Sequence, residues 1–458
     1  MTQQPSSTDG MSERYPLSFT QQYFHSLDEG DLNGAFGNRF TIVSALRIAG
    51  HVDVATLQAA LDDVVARHEL LRTVVVRDAE PPYQQVHPPC QVPLDVRDWP
   101  VTDRPRDLAA EELLVEAEKE TMTPRQVPVI RAHFIRFDDS DSVLSLVVHH
   151  SASDAWSQNV VMRDLAAFYD ARVGGHPVDL PPVKQYREYS EWQKANAAET
   201  SDARKYWREK LRDARVLALP NDRPRPEVYS RPFSAYNYAV SPGEMAPTLT
   251  FAHKARSSMF MALMAAFCVF AHEVTGRADP AIRAFTTGRD EPAFQNTMGL
   301  FLNLVPFQTD ISTCTSFRDV IAATRETCID AYANEIPITV IEQDLPAFNA
   351  PHDEPRNSQF ILGMYQAQSG DDTMPLADGA EPILKRTMES SETSDIPSGL
   401  VWNMSITRQG GLIGNVVYNL DEFDEDRVTG WVSEFNRILL RLVNEPDRDW
   451  RQLTGVAS

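Results

Sequence analysis

Four cysteines in 458 residues (Cys90, Cys268, Cys314, Cys328) are too few and too scattered for a disulfide framework. None stands in a CxxC pair or at zinc-finger spacing, which fits a reducing compartment and leaves no cysteine-based redox or zinc motif. Basic residues are also short, 43 Lys and Arg against 65 Asp and Glu, for a net charge of −22. Nucleic acids and anionic membranes both require basic protein surface, so neither is expected as a partner. No apolar run reaches bilayer length, and the longest, Met259 to Ala271, reads as a buried helix. The opening MTQQPSSTDGMSERYP is polar and lacks the apolar segment of a secretory signal, so a cytoplasmic protein is expected. GxSxG is missing, which removes the nucleophile elbow of serine hydrolases. The glycine cluster GGLIG at 410–414 falls between two strand-like runs and reads as a hairpin turn, not a phosphate loop.

What is present is globular: 42% apolar and 24% charged residues. The length exceeds one ordinary core and predicts two domains. Leu57, Leu61, Val64 and Val65 fall on one face and predict a helix over Val52–Glu69, followed by a strand over Thr73–Val76. A helix over Asp107–Glu120 precedes a strand pair, Val129–Phe137 and Val143–His149, and a further helix begins near Trp156. ARVGGHPVDLPPVKQ at 171–185 is rich in Gly and Pro and marks a boundary. Beyond it a charged helix over Ser201–Leu211 carries the basic cluster Arg204, Lys205, Arg208 and Lys210. Helices are predicted again near Ser257–Val274, Ser316–Ala333 and Asp424–Asn444, with strands over Ala281–Thr286, Gln359–Tyr365, Leu400–Arg408 and Leu412–Asn419. Both halves therefore read as α/β lobes, each a mostly antiparallel sheet packed with helices, with a cleft between them. Asp371–Ser398 is long, polar and loop-like, the composition of a lid or crossover.

One stretch concentrates the chemistry. VLSLVVHHSASDAW, from Val143 to Trp156, is an apolar strand that stops at His149 and His150, with Asp154 close behind. Histidine takes up and returns a proton near neutrality. Successive strand side chains point to opposite faces, so the two rings do not share one metal, and no third ligand stands at metal spacing; no metal is expected. One ring can face the core while the other faces the cleft. A satisfied buried histidine at a strand end is the alternative for either. With nucleophile, metal and nucleotide motifs missing, direct group transfer assisted by one histidine is the simplest remaining chemistry.

HHSASDA, His149 to Ala155, resembles the HHxxxDG signature of the condensation domains of non-ribosomal peptide synthetases, in the chloramphenicol-acetyltransferase-like superfamily. Other motifs follow in order: PLSFTQQ at 16–22, RHELLRT at 67–73, YREYSEWQ at 186–193, LPNDRPRP at 219–226 and TTGRDEPAFQNTMGLFLNLVPF at 286–307. The resemblance spans roughly residues 15–445. It implies two chloramphenicol-acetyltransferase-like lobes arranged as a V around a tunnel. The expected organisation is a disordered leader at 1–14, an N-terminal lobe at 15–180 and a C-terminal lobe at 181–458. The latter would hold a floor segment at about 286–307 and a crossover at about 371–400.

By resemblance His150 matches the proton-handling or nucleophile-positioning residue and His149 a structural partner. Asp154 matches a loop-shaping carboxylate paired with an arginine, here Arg289. Arg67 and Arg72 would be structural arginines beneath the same site. Trp156 and Asn303 are candidates for the tunnel wall. The sequence departs from the family at Ala155, where a glycine would permit positive φ or close substrate approach. Alanine keeps the backbone N–H as a donor but narrows the space beside it.

The implied reaction joins a carrier-tethered acyl or aminoacyl thioester to a small amine or alcohol, giving an amide or ester in secondary metabolism. No phosphopantetheine attachment motif is visible, so the expectation is a free-standing monomer without a bound cofactor, its donor arriving on the phosphopantetheine arm of a peptidyl or acyl carrier protein in trans. The Arg204–Lys210 cluster is a possible landing site for that carrier. Two alternatives remain open: a coenzyme A-dependent acyltransferase of the same superfamily, and a non-catalytic domain that recruits a carrier or tailoring enzyme.

Overall fold

A computed structural model describes residues 14–100, 103–196, 201–366, 376–383, 390–396 and 399–454. The expected leader lies outside these residues except for Arg14, which opens the short strand Arg14–Pro16. Most of the expected crossover also lies outside them.

Two main sheets organise the chain. A five-stranded sheet runs in the order Gly379–Pro382, Thr41–Ala49, Asp141–His149, Ile130–Asp138, Leu94–Asp98. Its pairs are antiparallel except the last, which is parallel. An eight-stranded sheet runs Asn303–Gln308, Ala281–Thr286, Asn357–Gln366, Leu400–Ile406, Leu412–Asn419, Phe233–Val240, Ser390–Glu392, with Ala218–Pro220 on the 357–366 strand. This sheet is mixed. The strand Asn357–Gln366 runs parallel to both of its long neighbours, because long connections, one of them helical, carry the chain back to the same edge before each pairing.

Helices cover these sheets where their apolar stripes dictate. Val54–Arg67 buries Leu57, Ala60, Leu61, Val64 and Val65, begins on an Asp53 cap, and packs against Ala155–Gly174. Met259–Thr275 is apolar around most of its circumference and is buried accordingly. Phe267 from this helix stacks on Phe435 of the helix Glu425–Asn444, centroids 4.0 Å apart, with Trp402 edge-on at 5.1 Å. No single helix among the described residues is long and apolar enough to cross a membrane.

The segment between 376 and 396 ties the sheets together. Gly379–Pro382 extends the first sheet and Ser390–Glu392 the second. Arg39 fastens this strap, reaching Glu392 at 2.7 Å, Asp395 at 3.3 Å and the Thr393 carbonyl at 2.9 Å.

Candidate functional site

The strand Asp141–His149 is central in its sheet and buried from Ser142 onward, which accounts for its uninterrupted apolar run. It ends at a short turn, His150–Ala152, and the chain re-enters helix at Ala155 with Asp154 as the cap. Both histidines are thus carried on a rigid strand-to-helix connection.

Their environments differ sharply. His149 is fully buried; its Nε2 donates to the Gly37 carbonyl at 3.1 Å and its Nδ1 accepts from the Ser151 N–H at 3.2 Å. These partners fix one tautomer, and burial pushes the ring down to about 3, so it is a neutral structural group. His150 is half-buried and lies flat on Phe40, with Phe24 edge-on at 6.1 Å. Its backbone N–H donates to the Phe40 carbonyl at 2.9 Å. Nδ1 is buried without a well-aligned partner, whereas Nε2 is accessible and makes no hydrogen bond with the described residues. Burial lowers the pKa of this imidazole, and the Asp154 charge and the backbone of His150 and Ser153 only partly offset it. The ring is therefore a neutral base with one open nitrogen.

Asp154 is engaged elsewhere. Oδ1 accepts the Ser157 N–H at 2.7 Å and Oδ2 the Phe301 N–H at 3.0 Å. Arg289 Nη2 lies 3.3 Å and 3.4 Å from its two oxygens. The guanidinium also donates to the carbonyls of Phe294 and Thr297 and to Ser157 Oγ, and its carbon sits 3.8 Å from the centre of the Phe301 ring. Both partners are 5% exposed, so the pair is shielded from solvent. Gly288, beside Arg289, has φ +58°, and a Cβ there would lie 1.9 Å from the Phe301 carbonyl. A glycine is required for this close crossing. Residues of the 286–307 segment thereby clamp the loop that follows His150.

Ala155 is exposed and opens the helix without positive φ, so its backbone does not require glycine. The N–H groups of Ala155 and Trp156 belong to the first helical turn, which has no intrahelical acceptors. Trp156 and Asn303, expected along the passage, are instead engaged with protein. Trp156 Nε1 donates to the Gln295 carbonyl at 3.0 Å, and the ring lies over Arg289. Asn303 donates to Glu335 and the Ile336 carbonyl and accepts from the Ile338 N–H. It faces a separate cavity of about 140 Å³, walled by Phe19, Tyr189, Trp192 and Glu335, that His150 does not reach.

Arg67 and Arg72 are not beneath this site. Arg67 bonds Asp164 at 2.7 Å, together with His68 at 2.9 Å, and Arg72 reaches the Val65 carbonyl. Asp164 lies about 15 Å along the helix from Asp154, so the two arginine networks are distinct. In the basic cluster, Arg204 and Arg208 are paired with Asp344, at 2.6 Å and 3.2 Å. Among the described residues no group of three His, Cys, Asp or Glu side chains is placed to hold a metal. Phe24, Phe40 and Ser157 escaped the sequence reading, since an aromatic at a strand edge and a serine in a first helical turn carry no distinctive pattern.

Known proteins share this geometry. The Condensation domain family model matches residues 11–458. A linear gramicidin synthase from Brevibacillus parabrevis is 30% identical across 97% of this chain. The chain spans only 8% of that synthase, and 31% of phosphinothricin tripeptide synthetase PhsC from Streptomyces viridochromogenes, to which it is 31% identical. The structure of SgcC5 from Streptomyces globisporus, in complex with (R)-(-)-1-(2-naphthyl)-1,2-ethanediol and sucrose, superposes with a TM-score of 0.88 at 33% identity, covering 95% of this chain and 100% of that one. The X-domain from teicoplanin biosynthesis gives 0.78 at 25% identity over 98% of each chain, and a complex of that X-domain with OxyB gives 0.76. The solved relatives share the chloramphenicol-acetyltransferase-like fold. The chain belongs to the condensation-domain family of non-ribosomal peptide synthesis.

Proposed function

We propose that the protein transfers an acyl or aminoacyl group from a carrier-tethered thioester to a hydroxyl of a small acceptor, forming an ester. The observation that carries this is the accessible Nε2 of a neutral His150. An alcohol is a poor nucleophile until its proton begins to leave, so it gains more from a positioned base than an uncharged amine does. The diol bound by SgcC5 has hydroxyls as its only nucleophiles, which favours an alcohol acceptor here.

The acceptor hydroxyl gives its proton to His150 Nε2 as its oxygen attacks the thioester carbonyl. The N–H groups opening the Ala155–Gly174 helix, at the positive end of its dipole, are the donors for the developing oxyanion. When the intermediate collapses the C–S bond breaks, and the thiolate of the phosphopantetheine arm recovers the proton from His150. That arm is part of the donor substrate, so no resident cofactor enters the step. Holding the two reactants together supplies several kcal/mol, up to about 7–11 in well-oriented cases. Arg289 and Asp154 contribute indirectly, by fixing the loop that carries the imidazole.

The likeness to an X-domain solved with OxyB favours a second reading, recruitment of a tailoring enzyme without turnover. Mass-spectrometric turnover of carrier-loaded donors and the matching acyl-coenzyme A esters, against paired alcohols and amines, separates the readings. Ester from carrier-loaded donors is expected. Amide alone overturns the hydroxyl assignment, equal use of coenzyme A esters overturns the carrier assignment, and no product with any pair favours recruitment.

A further inference from the structure

The strand Asn357–Gln366 looks onto the first half of the molecule along one face. At one end of that face Gln359 hydrogen-bonds Tyr23, the neighbour of the Phe24 that meets His150. At the other end Tyr365 lies in the field of the Asp154 carboxylate and is 38% exposed. Gly363 sits between them on the same face. In register beside it come Asn403, then Asn415, then Asn237, one from each successive strand. A row of carboxamides ending at a glycine therefore crosses the sheet on the side that faces the histidine loop.

Asn403 is held in an unusual way. Its Nδ2 donates to Asn415 Oδ1 at 3.0 Å, while its Oδ1 is buried and accepts nothing from the described residues. That oxygen leans over Gly363, where a Cβ would lie 2.2 Å from it, and the Tyr365 ring and hydroxyl stand 3.2 Å from the same point. A buried acceptor without a donor is unfavourable. Retaining one beside a half-exposed tyrosine, on a face turned toward the proposed base, points to a donor brought by a ligand.

Building on the proposed ester-forming reaction, we infer that Asn403, in the notch over Gly363, binds a second hydroxyl of the acceptor, one that is not acylated. Tyr365 covers the notch and swings aside as the acceptor enters. Asn403 is thus a specificity-determining residue that prefers a diol to a simple alcohol and settles which hydroxyl meets His150. An amide N–H of the carrier's phosphopantetheine arm has the same donor chemistry, and the test separates the two sources.

Calorimetric titration of the full chain, independent of turnover, compares 1-(2-naphthyl)-1,2-ethanediol with 2-(2-naphthyl)ethanol, and pantetheine in a separate arm. The wild type is expected to bind the diol about 5–10-fold more tightly, the factor of one neutral hydrogen bond. Asn403→Leu should erase that preference and leave pantetheine affinity unchanged, and Gly363→Ala, which displaces the Asn403 carboxamide, should do the same. No diol preference in the wild type, a preference that survives in a folded variant, or a loss confined to pantetheine each overturns the inference. An enzyme that makes no ester yet shows the Asn403-dependent preference refutes the proposed reaction but keeps the subsite.

Discussion

His150 lies flat on Phe40, ring centroids 4.7 Å apart and planes inclined by 15°. The contact withholds water from one face of the imidazole, and the Phe40 carbonyl simultaneously holds the His150 backbone. The same residue thus sets the position of the ring and its preference for the neutral form.

Replacing His150 by alanine removes the open nitrogen while leaving the Phe40 and Asp154 networks in place. Turnover is expected to fall by about 10²–10⁴-fold, the usual contribution of a positioned base. Thermal unfolding should change little. Steady-state kinetics beside a melting curve checks both, and unchanged kcat removes His150 from the mechanism.

The pH profile follows from burial. A base works when neutral, and His150 is held below the ordinary histidine value of 6.5. Activity should therefore persist as pH falls through that value and decline only below it. In Phe40→Ser, water reaches the ring and the acid limb of kcat/KM should move up toward that value. An acid limb that stays fixed in the variant shows that Phe40 does not tune the base.

His149 makes acid costly to the fold. Its native ring titrates at about 3 against 6.5 when unfolded, so its contribution to stability is complete above 6.5 and is lost as pH falls toward 3. Chemical denaturation between pH 7 and 4 should show declining stability, with a smaller decline in His149→Asn. Equal slopes in the two proteins would contradict the assignment.

Asp154 and Arg289 should be coupled. Removing either leaves a buried charge unpaired, at about 3–5 kcal/mol. The double alanine variant should cost clearly less than the sum of the singles. Strict additivity in a denaturation cycle would mean that the pair contributes nothing beyond its separate contacts.

Ala155 should be neutral to function. Its backbone lacks positive φ and its methyl is exposed. Ala155→Gly is expected to lower stability by at most about 1 kcal/mol and to leave kcat within a few-fold. A large gain in activity would show instead that the methyl obstructs the acceptor.

Local pattern carried much of this molecule. The apolar period of Leu57, Leu61, Val64 and Val65 specified their helix, and the apolar run ending at His149 specified its strand. The strand Thr41–Ala49 was not legible, because its neighbours bury both of its faces irregularly and no alternation survives. Phe233–Val240, where buried and half-buried residues do not alternate, was lost for a similar reason. Parallel pairing beside Asn357–Gln366 was likewise hidden, since pairing direction is a property of the connections and not of the strand's residues.

The sequence by itself determined that two histidines end a buried strand and that a carboxylate caps the helix after them, because strand period and capping chemistry act within a few residues. Only the tertiary structure decided that His149 is sealed, that His150 keeps one nitrogen open against Phe40, and that Asn403 faces them across the sheet. Those outcomes depend on contacts between residues far apart in the chain, and burial, which sets the chemistry of an imidazole, exists only once the chain has closed on itself.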